Sequence, residues 1–303
     1  LKNIDLLNSG IVHDTNLLFQ SVIFRMICIP EWSTIRFESR YFLSELLRKR
    51  VFQMNKDLNH KDMENINKEL EQKYKKVALN PRGLFPYPVG RDALQALGYD
   101  MNLVDRLDPS IPEFFCGVGN PFSLGKISPG ERILDIGCGA GVDTLVAALL
   151  TGPSGKAAGI EMVRSMYERA CSNLSLSGLM NVRFFHGSAT ELPFEENSFD
   201  VIISNGVFNL ITHRMQALCE AFRVLRRGGR FMIADQLSVV PENWEENGIH
   251  KDGTGQRGET VPGMDFLAIM KRAGFINVEA IERRGFSNSV KIEAMHFRGN
   301  KPC

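Results

Sequence analysis

The clearest hydrophobic pattern in the chain is an apolar run that ends in an acid and breaks into glycine, ILDIGCGAGVD at Ile133–Asp143. The apolar stretch DTLVAALL follows it. That order predicts a buried parallel strand, a tight loop and a helix. The alternation repeats downstream. Strands are expected at Arg132–Ile136, Ala157–Glu161, Val182–His186, Val201–Ser204 and Phe231–Asp235, with later ones near Val278–Arg283 and Val290–Phe297. Helices are expected near Asp143–Leu150, Val163–Ser177, His213–Leu225 and Met264–Ala273. Gly178 would cap the second, and Gly228 with Gly229 would close the third. Strands alternating with helices predict an α/β fold, a mostly parallel sheet covered on both faces.

Upstream the pattern changes. LLFQSVIFRMICI is apolar but short, and Arg25 interrupts it. It falls below the roughly 18 residues that span a bilayer and lacks the marks of a secretory signal. Residues 1–53 are therefore either an amphipathic helical extension or lie before a native start at Met54 or Met63. Residues 54–112 read as a helical lid or platform. Within them NKDLNHKDMENINKELEQKYKKV predicts an exposed helix, and NPRGLFPYPVGRDALQALGYD an ordered segment that three prolines keep irregular. Residues 113–303 form the ligand-binding domain.

Glycine is needed where the backbone takes positive φ or approaches a ligand closely. Gly137, Gly139 and Gly141 precede a helix whose first turn offers free N–H groups. The spacing departs from a dinucleotide loop, G-x-G-x-x-G, because the third glycine comes one residue early and Val142 follows it. Asp135 would repel a pyrophosphate but suits an ammonium group. Glu161 ends the next strand about 20 residues on, where an acid bridges ribose hydroxyls. A nucleoside with an amino-acid tail satisfies both acids, and S-adenosylmethionine is such a ligand.

Composition narrows the partners. A net charge of +1 across 303 residues gives no global field for nucleic acid or an anionic membrane. Arg223, Arg226, Arg227 and Arg230 cluster, but they flank a predicted helix end, where cations serve the dipole. The six cysteines are scattered without a C-x-x-C pair. That removes the usual zinc and redox motifs and leads to the expectation of a reduced, cytoplasmic setting without a metal. Cys138, Cys171 and Cys219 read as buried structural thiols.

LDIGCGAG, GIEM, LPFEENSFDVIISNGVFNL and RVLRRGGRFMIAD, in this order between about Phe114 and Asp235, resemble the successive motifs of class I S-adenosylmethionine-dependent methyltransferases. CGVGNP, the glycine loop and ISNGVFNL most resemble the arsenite methyltransferase-like branch. The resemblance to quinone-biosynthesis C-methyltransferases is more general. The resemblance implies a Rossmann-like fold, a seven-stranded sheet of order 3-2-1-4-5-7-6, S-adenosylmethionine as cofactor and a small-molecule methyl acceptor. It also implies roles. Gly137, Cys138, Gly139 and Gly141 shape the loop under the methionine part, and Asp135 acts near the ammonium. Glu161 takes the ribose, Met162 packs on the adenine, and Ser188 and Ala189 stand where an acid often meets the adenine amine. Asn205 faces the methyl region or caps the next turn. CGVGNP folds over the methionine end, with Cys116, Gly117 and Asn120 as its candidates. Phe85, Tyr87, Phe114 and Phe115 are candidates for an apolar acceptor wall.

Methyl transfer from an activated donor asks the protein chiefly for alignment and exclusion of water. No obligatory nucleophile is therefore expected. Candidates for a catalytic contact are Asn205, His213 and Asp235, with His186 and His250 as further histidines and His296 as a structural one. The arsenite enzymes hold trivalent arsenic through several thiolates, since soft sulfur suits a soft metalloid. Here Gly206 stands where one such thiol is expected, and PENWEENGIHKDGTGQRGETVPG has no cysteine. The sequence thus favours an apolar or aromatic organic acceptor, with Leu237–Pro262 forming part of its pocket. Metalloid methylation and cofactor binding without turnover remain as alternatives.

Overall fold

The computed structural model describes residues 68–238, 250–251, 257–258, 263–282, 285–286 and 292–303. The chain divides into two units, residues 1–61 and 62–303, and every described residue belongs to the second. The expected 1–53 extension, the first part of the charged helix and most of Leu237–Pro262 lie outside the described residues, as does the His250 side chain.

The strands are β1 Arg132–Ile136, β2 Lys156–Glu161, β3 Val182–His186, β4 Phe199–Asn205, β5 Leu225–Ser238, β6 Ile276–Glu282 and β7 Ile292–Asn300. They form one seven-stranded sheet of order β3-β2-β1-β4-β5-β7-β6. The first five pair in parallel, and β7 lies antiparallel between β5 and β6. A separate two-residue ladder joins His250–Lys251 to Arg257–Gly258.

Strands buried on both faces explain the apolar runs. In β1, Ile133 enters one core cluster with Val142, Leu145 and Ile203, while Leu134 and Ile136 enter the opposite one with Ile202, Leu218 and Phe231. Period-two alternation thus sorts one run between two helix layers. Helix Val142–Thr151 covers the first face, and Arg214–Val224 with Gly263–Arg272 cover the second. Helix Arg164–Ser177 ends at Gly178, whose φ of +67° makes the expected left-handed cap.

Three expectations need correction. Gly228 and Gly229 do not close a helix, since that helix ends at Val224 and the chain enters β5 at once. The RRGG segment instead makes a bulge, because β4 pairs Phe199 with Leu225 but Val201 with Arg230. Of the clustered arginines, Arg223 does lie in the last turn of that helix, whereas Arg226, Arg227 and Arg230 fall within β5. Arg226 pairs with Asp200, Arg230 binds Glu131 at 2.7 Å and Arg223 binds Glu220 at 2.7 Å. Finally, Cys138 is buried, but Cys171 is half-buried and Cys219 is exposed. Helix Arg214–Val224 turns Ala217, Leu218, Ala221 and Val224 inward, which leaves position 219 on its outer face. Among the described residues no helix is long and apolar enough to cross a membrane.

Candidate functional site

The carboxyl ends of β1 to β5 meet loops that surround a cavity of about 310 Å³. It lies where the strand order reverses between β1 and β4, the usual ligand position in an open α/β sheet. The Gly137–Gly141 loop forms one side. Its three glycines have φ of +70°, +56° and +84°, so the loop passes through the left-handed region at every second residue. Gly137 and Gly139 reach the cavity wall, whereas Cys138 and Gly141 face the core behind it.

Glu161 stands opposite at the end of β2. Its Oε2 accepts from the Gly139 N–H at 2.9 Å and its Oε1 from the Val163 N–H at 2.7 Å. One carboxylate therefore joins the glycine loop to the entry of the next helix and still has lone pairs on the cavity side. Burial raises its pKa, and the backbone N–H bonds counter that rise. Met162 is half-exposed beside it, and Ser188 and Ala189 line the same side. The Ser188 hydroxyl is shared with Thr190, its Oγ lying 2.8 Å from Thr190 Oγ1.

Asp135 does not line the cavity. It is buried and accepts from Thr144 Oγ1 at 2.6 Å, and burial together with the nearby Asp143 carboxylate pushes its pKa up. An acid near the end of a central strand is drawn into the sheet layer, and the expected direct contact of Asp135 with a ligand's ammonium has no place on the cavity wall.

Asn205 does reach the cavity, at the end of β4. Its Oδ1 accepts from the N–H groups of Val118 and Gly119 at 2.9 and 3.2 Å. Its Nδ2 donates to Asp143 Oδ2 at 2.9 Å and to the Gly119 carbonyl at 2.8 Å. CGVGNP is thus pinned over this end of the sheet, and Cys116 and Val118 form wall. Asn120 is buried there, its N–H donating to His296 Nε2 at 3.1 Å. Cys116 is the described cysteine on the wall, and burial pushes its thiol up to about 12.

Asp235 is fully buried behind the cavity, where its oxygens accept from four backbone N–H groups. Oδ2 takes those of Val207, Phe208 and Asn209, and Oδ1 that of Gln236. It builds the loop after β4, and Gln236, not Asp235, reaches the wall. Burial raises the Asp235 pKa to about 6, against the lowering effect of those N–H bonds. A raised carboxyl pKa favours the protonated native state, so its contribution is complete below the unfolded value near 3.8 and lost as pH rises through about 6. Relative to Asp235→Asn, the wild-type chain is expected to lose about 2 kcal/mol between pH 4 and 6. Urea denaturation at stepped pH checks this, and parallel curves in that window refute it.

His213 caps helix Arg214–Val224 with no side-chain cap bond and lies exposed on the cavity wall. His186 Nε2 contacts the Met162 carbonyl at 3.0 Å. Of the aromatic candidates, Phe85 and Tyr87 line the cavity, their ring centroids 5.2 Å apart, and Tyr87 stacks on Phe286 at 5.7 Å. Phe114 and Phe115 do not line it. Phe114 lies against the Arg169 guanidinium, and Phe115 packs edge-on against Tyr99 in the core.

Two features were missed in the sequence. The helical backbone at 68–77 is not simply an exposed helix, since Leu70, Lys73 and Tyr74 line the cavity and Leu70 and Val77 are buried. The signal was present, because Leu70, Tyr74 and Val77 follow the i, i+4, i+7 spacing of an apolar stripe. Asp143 and Tyr99 were also missed. An acid in a first helical turn reads as a dipole partner, and no local pattern reveals that Tyr99 donates to it at 2.7 Å.

Residues 127–261 match a family model described as a methyltransferase domain. The chain is 34% identical over 187 residues to the arsenite methyltransferase of Halobacterium salinarum, covering 61% of this chain and 47% of that one. It is 33% identical over 124 residues to the demethylmenaquinone methyltransferase of Listeria monocytogenes, covering 41% and 52%. The chain spans about half the length of these curated relatives. Among solved structures it resembles an arsenic(III) S-adenosylmethionine methyltransferase from Chlamydomonas reinhardtii. The TM-score is 0.51 at 26% identity, over 72% of this chain and 75% of that one.

Proposed function

We propose that this chain, which carries a class I S-adenosylmethionine-dependent methyltransferase domain, transfers a methyl group directly onto a small apolar or aromatic organic molecule. The cavity suits the cofactor. Glycines without side chains line one side, Glu161 presents free lone pairs to a ribose, and Met162 offers an apolar surface to an adenine. When bound, S-adenosylmethionine supplies an activated methyl. The protein's share is placement. Asn205 and Gly206 close the methyl end, Val118 and the 70–74 helical turn exclude water, and His213 is the candidate to take a proton from the acceptor.

The observation that carries the choice of acceptor is the character of the remaining wall. Phe85, Tyr87, Val118, Leu210 and Ile211 supply it, with Cys116 as a protonated thiol. Metalloid methylation is the second reading, favoured by the likeness to arsenite methyltransferases. It has to work with Cys116 where several thiolates are the rule, since Gly206 carries no sulfur.

Transfer of labelled methyl from S-adenosylmethionine into a fractionated lysate, with arsenite added in a parallel reaction, separates these. Label in an organic product is expected, and its mass identifies the acceptor. Label confined to an arsenical overturns the organic reading. No transfer into either, with cofactor binding intact, points to a binding protein without turnover.

A further inference from the structure

The side wall of the cavity at residues 116–119 has no regular secondary structure of its own, and its geometry is set from outside. Asn205 holds it through two N–H groups on one side of a planar amide. An amide can turn over, exchanging its oxygen and its NH2 group. The Gly119 carbonyl, which takes Asn205 Nδ2 at 2.8 Å, opposes that here, and so does a second partner on the NH2 side. Asp143 Oδ2 takes the Asn205 Nδ2 at 2.9 Å, and Asp143 Oδ1 takes the Tyr99 hydroxyl at 2.7 Å. The Tyr99 hydroxyl lies 3.2 Å from Asn205 Nδ2 and closes the triangle.

An ionised carboxylate only accepts hydrogen bonds, so it admits only the NH2 end of the amide. Both Asp143 oxygens accept, one from the Tyr99 hydroxyl and one from the Asn205 NH2, as a carboxylate does; burial raises its pKa to about 6 against the lowering effect of those two bonds. The packing of Gly117 shows how tightly the wall is seated. A Cβ there would lie 2.6 Å from Phe115 Cζ and 2.7 Å from Asn205 Cγ.

We infer that Asp143 is a positioning residue, which orients the Asn205 amide and thereby fixes residues 116–119 as the wall against which the cofactor is seated. The inference rests on the methyltransferase reading for the identity of the ligand. The carboxylate itself stays behind the wall. Asp143 sits in the first turn of the helix that follows the glycine loop. The loop that cradles the ligand and the wall that closes over it therefore share one anchor. Tyr99 extends the anchor to the segment before the wall, since Asn120 Nδ2 donates to the neighbouring Gly98 carbonyl at 3.1 Å.

Asp143→Asn keeps the volume but leaves one acceptor oxygen where there were two, so an NH2 group must face either the Asn205 NH2 or the Tyr99 hydroxyl, and it tests the inference in two measurements. Amide exchange followed by NMR reads the wall directly. The Val118 and Gly119 amides are expected to exchange about tenfold faster, with those of Ile133–Ile136 unchanged. Calorimetry with S-adenosylhomocysteine as the probe is expected to show about tenfold weaker binding. Tyr99→Phe, which removes a single hydroxyl, is expected to move both readouts the same way by less, and it serves if Asp143→Asn does not fold. Unchanged exchange at Val118 and Gly119 overturns the inference. So does equal acceleration across β1, which marks general destabilisation, and so does a loosened wall with undiminished affinity. A wild-type chain that does not bind S-adenosylhomocysteine overturns the cofactor reading instead, whatever the amides do.

Discussion

Glu161→Ala is expected to weaken S-adenosylmethionine binding about ten- to a hundredfold. The residue has two tasks, and alanine ends both. Its carboxylate oxygens accept from the Gly139 and Val163 N–H groups, so truncation leaves two donors without their partner beside the ligand. It also removes the charged acceptor proposed for the ribose hydroxyls, a charge-assisted bond worth about 1.5–3 kcal/mol. Glu161→Gln separates the tasks. The amide retains one acceptor for the loop but turns NH2 toward a backbone donor, so an intermediate loss is expected. Calorimetry on the three chains checks the order, and unchanged affinity in the alanine variant refutes the ribose assignment.

Gly137→Ala is expected to cost as much by a different route. The residue has φ of +70°, where an L side chain costs roughly 1–2 kcal/mol. The new Cβ would lie 2.6 Å from Val207 Cγ1 and closer still to Cγ2, so the loop after β4 must also give way. Overpacking of this kind adds about 1–3 kcal/mol. Both loops line the cavity, so the damage falls on cofactor binding as well as on unfolding by urea. Gly139→Ala is the matched comparison. Its φ is +56° and the nearest atom, Met166 Cε, stands at 3.3 Å on a flexible side chain. The backbone strain is shared and the overlap is not, so Gly139→Ala is expected to lose clearly less stability. Equal losses would place the whole cost in the backbone.

The sheet was legible because its strands are short apolar runs buried on both faces, separated by capped helices. That Gly137, Gly139 and Glu161 face one cavity was legible, because conformational need and position in the alternation coincide there. What stayed hidden depends on distant partners. In the sequence Asp135 and Asp235 close apolar runs just as a ligand contact does, and only the packing turns the first to Thr144 and the second to the loop after β4. Phe85 and Phe114 are aromatic residues in similar irregular segments. One reaches the cavity and the other an arginine, a difference that no local pattern encodes.

The wall at residues 116–120 is tied to Asn205, 87 residues on from Val118, and to His296, 176 residues on from Asn120. Contacts of such separation close only after most of the loop entropy has been lost, which delays them in folding. The glycine loop and Glu161 can come together once β1 and β2 have paired, well before β7 is in place. The two sides of the cavity are therefore expected to form at different times, the glycine loop with Glu161 before the wall at residues 116–120. No described residue of β7 lines the cavity, yet through His296 the strand is expected to decide when the cavity is complete.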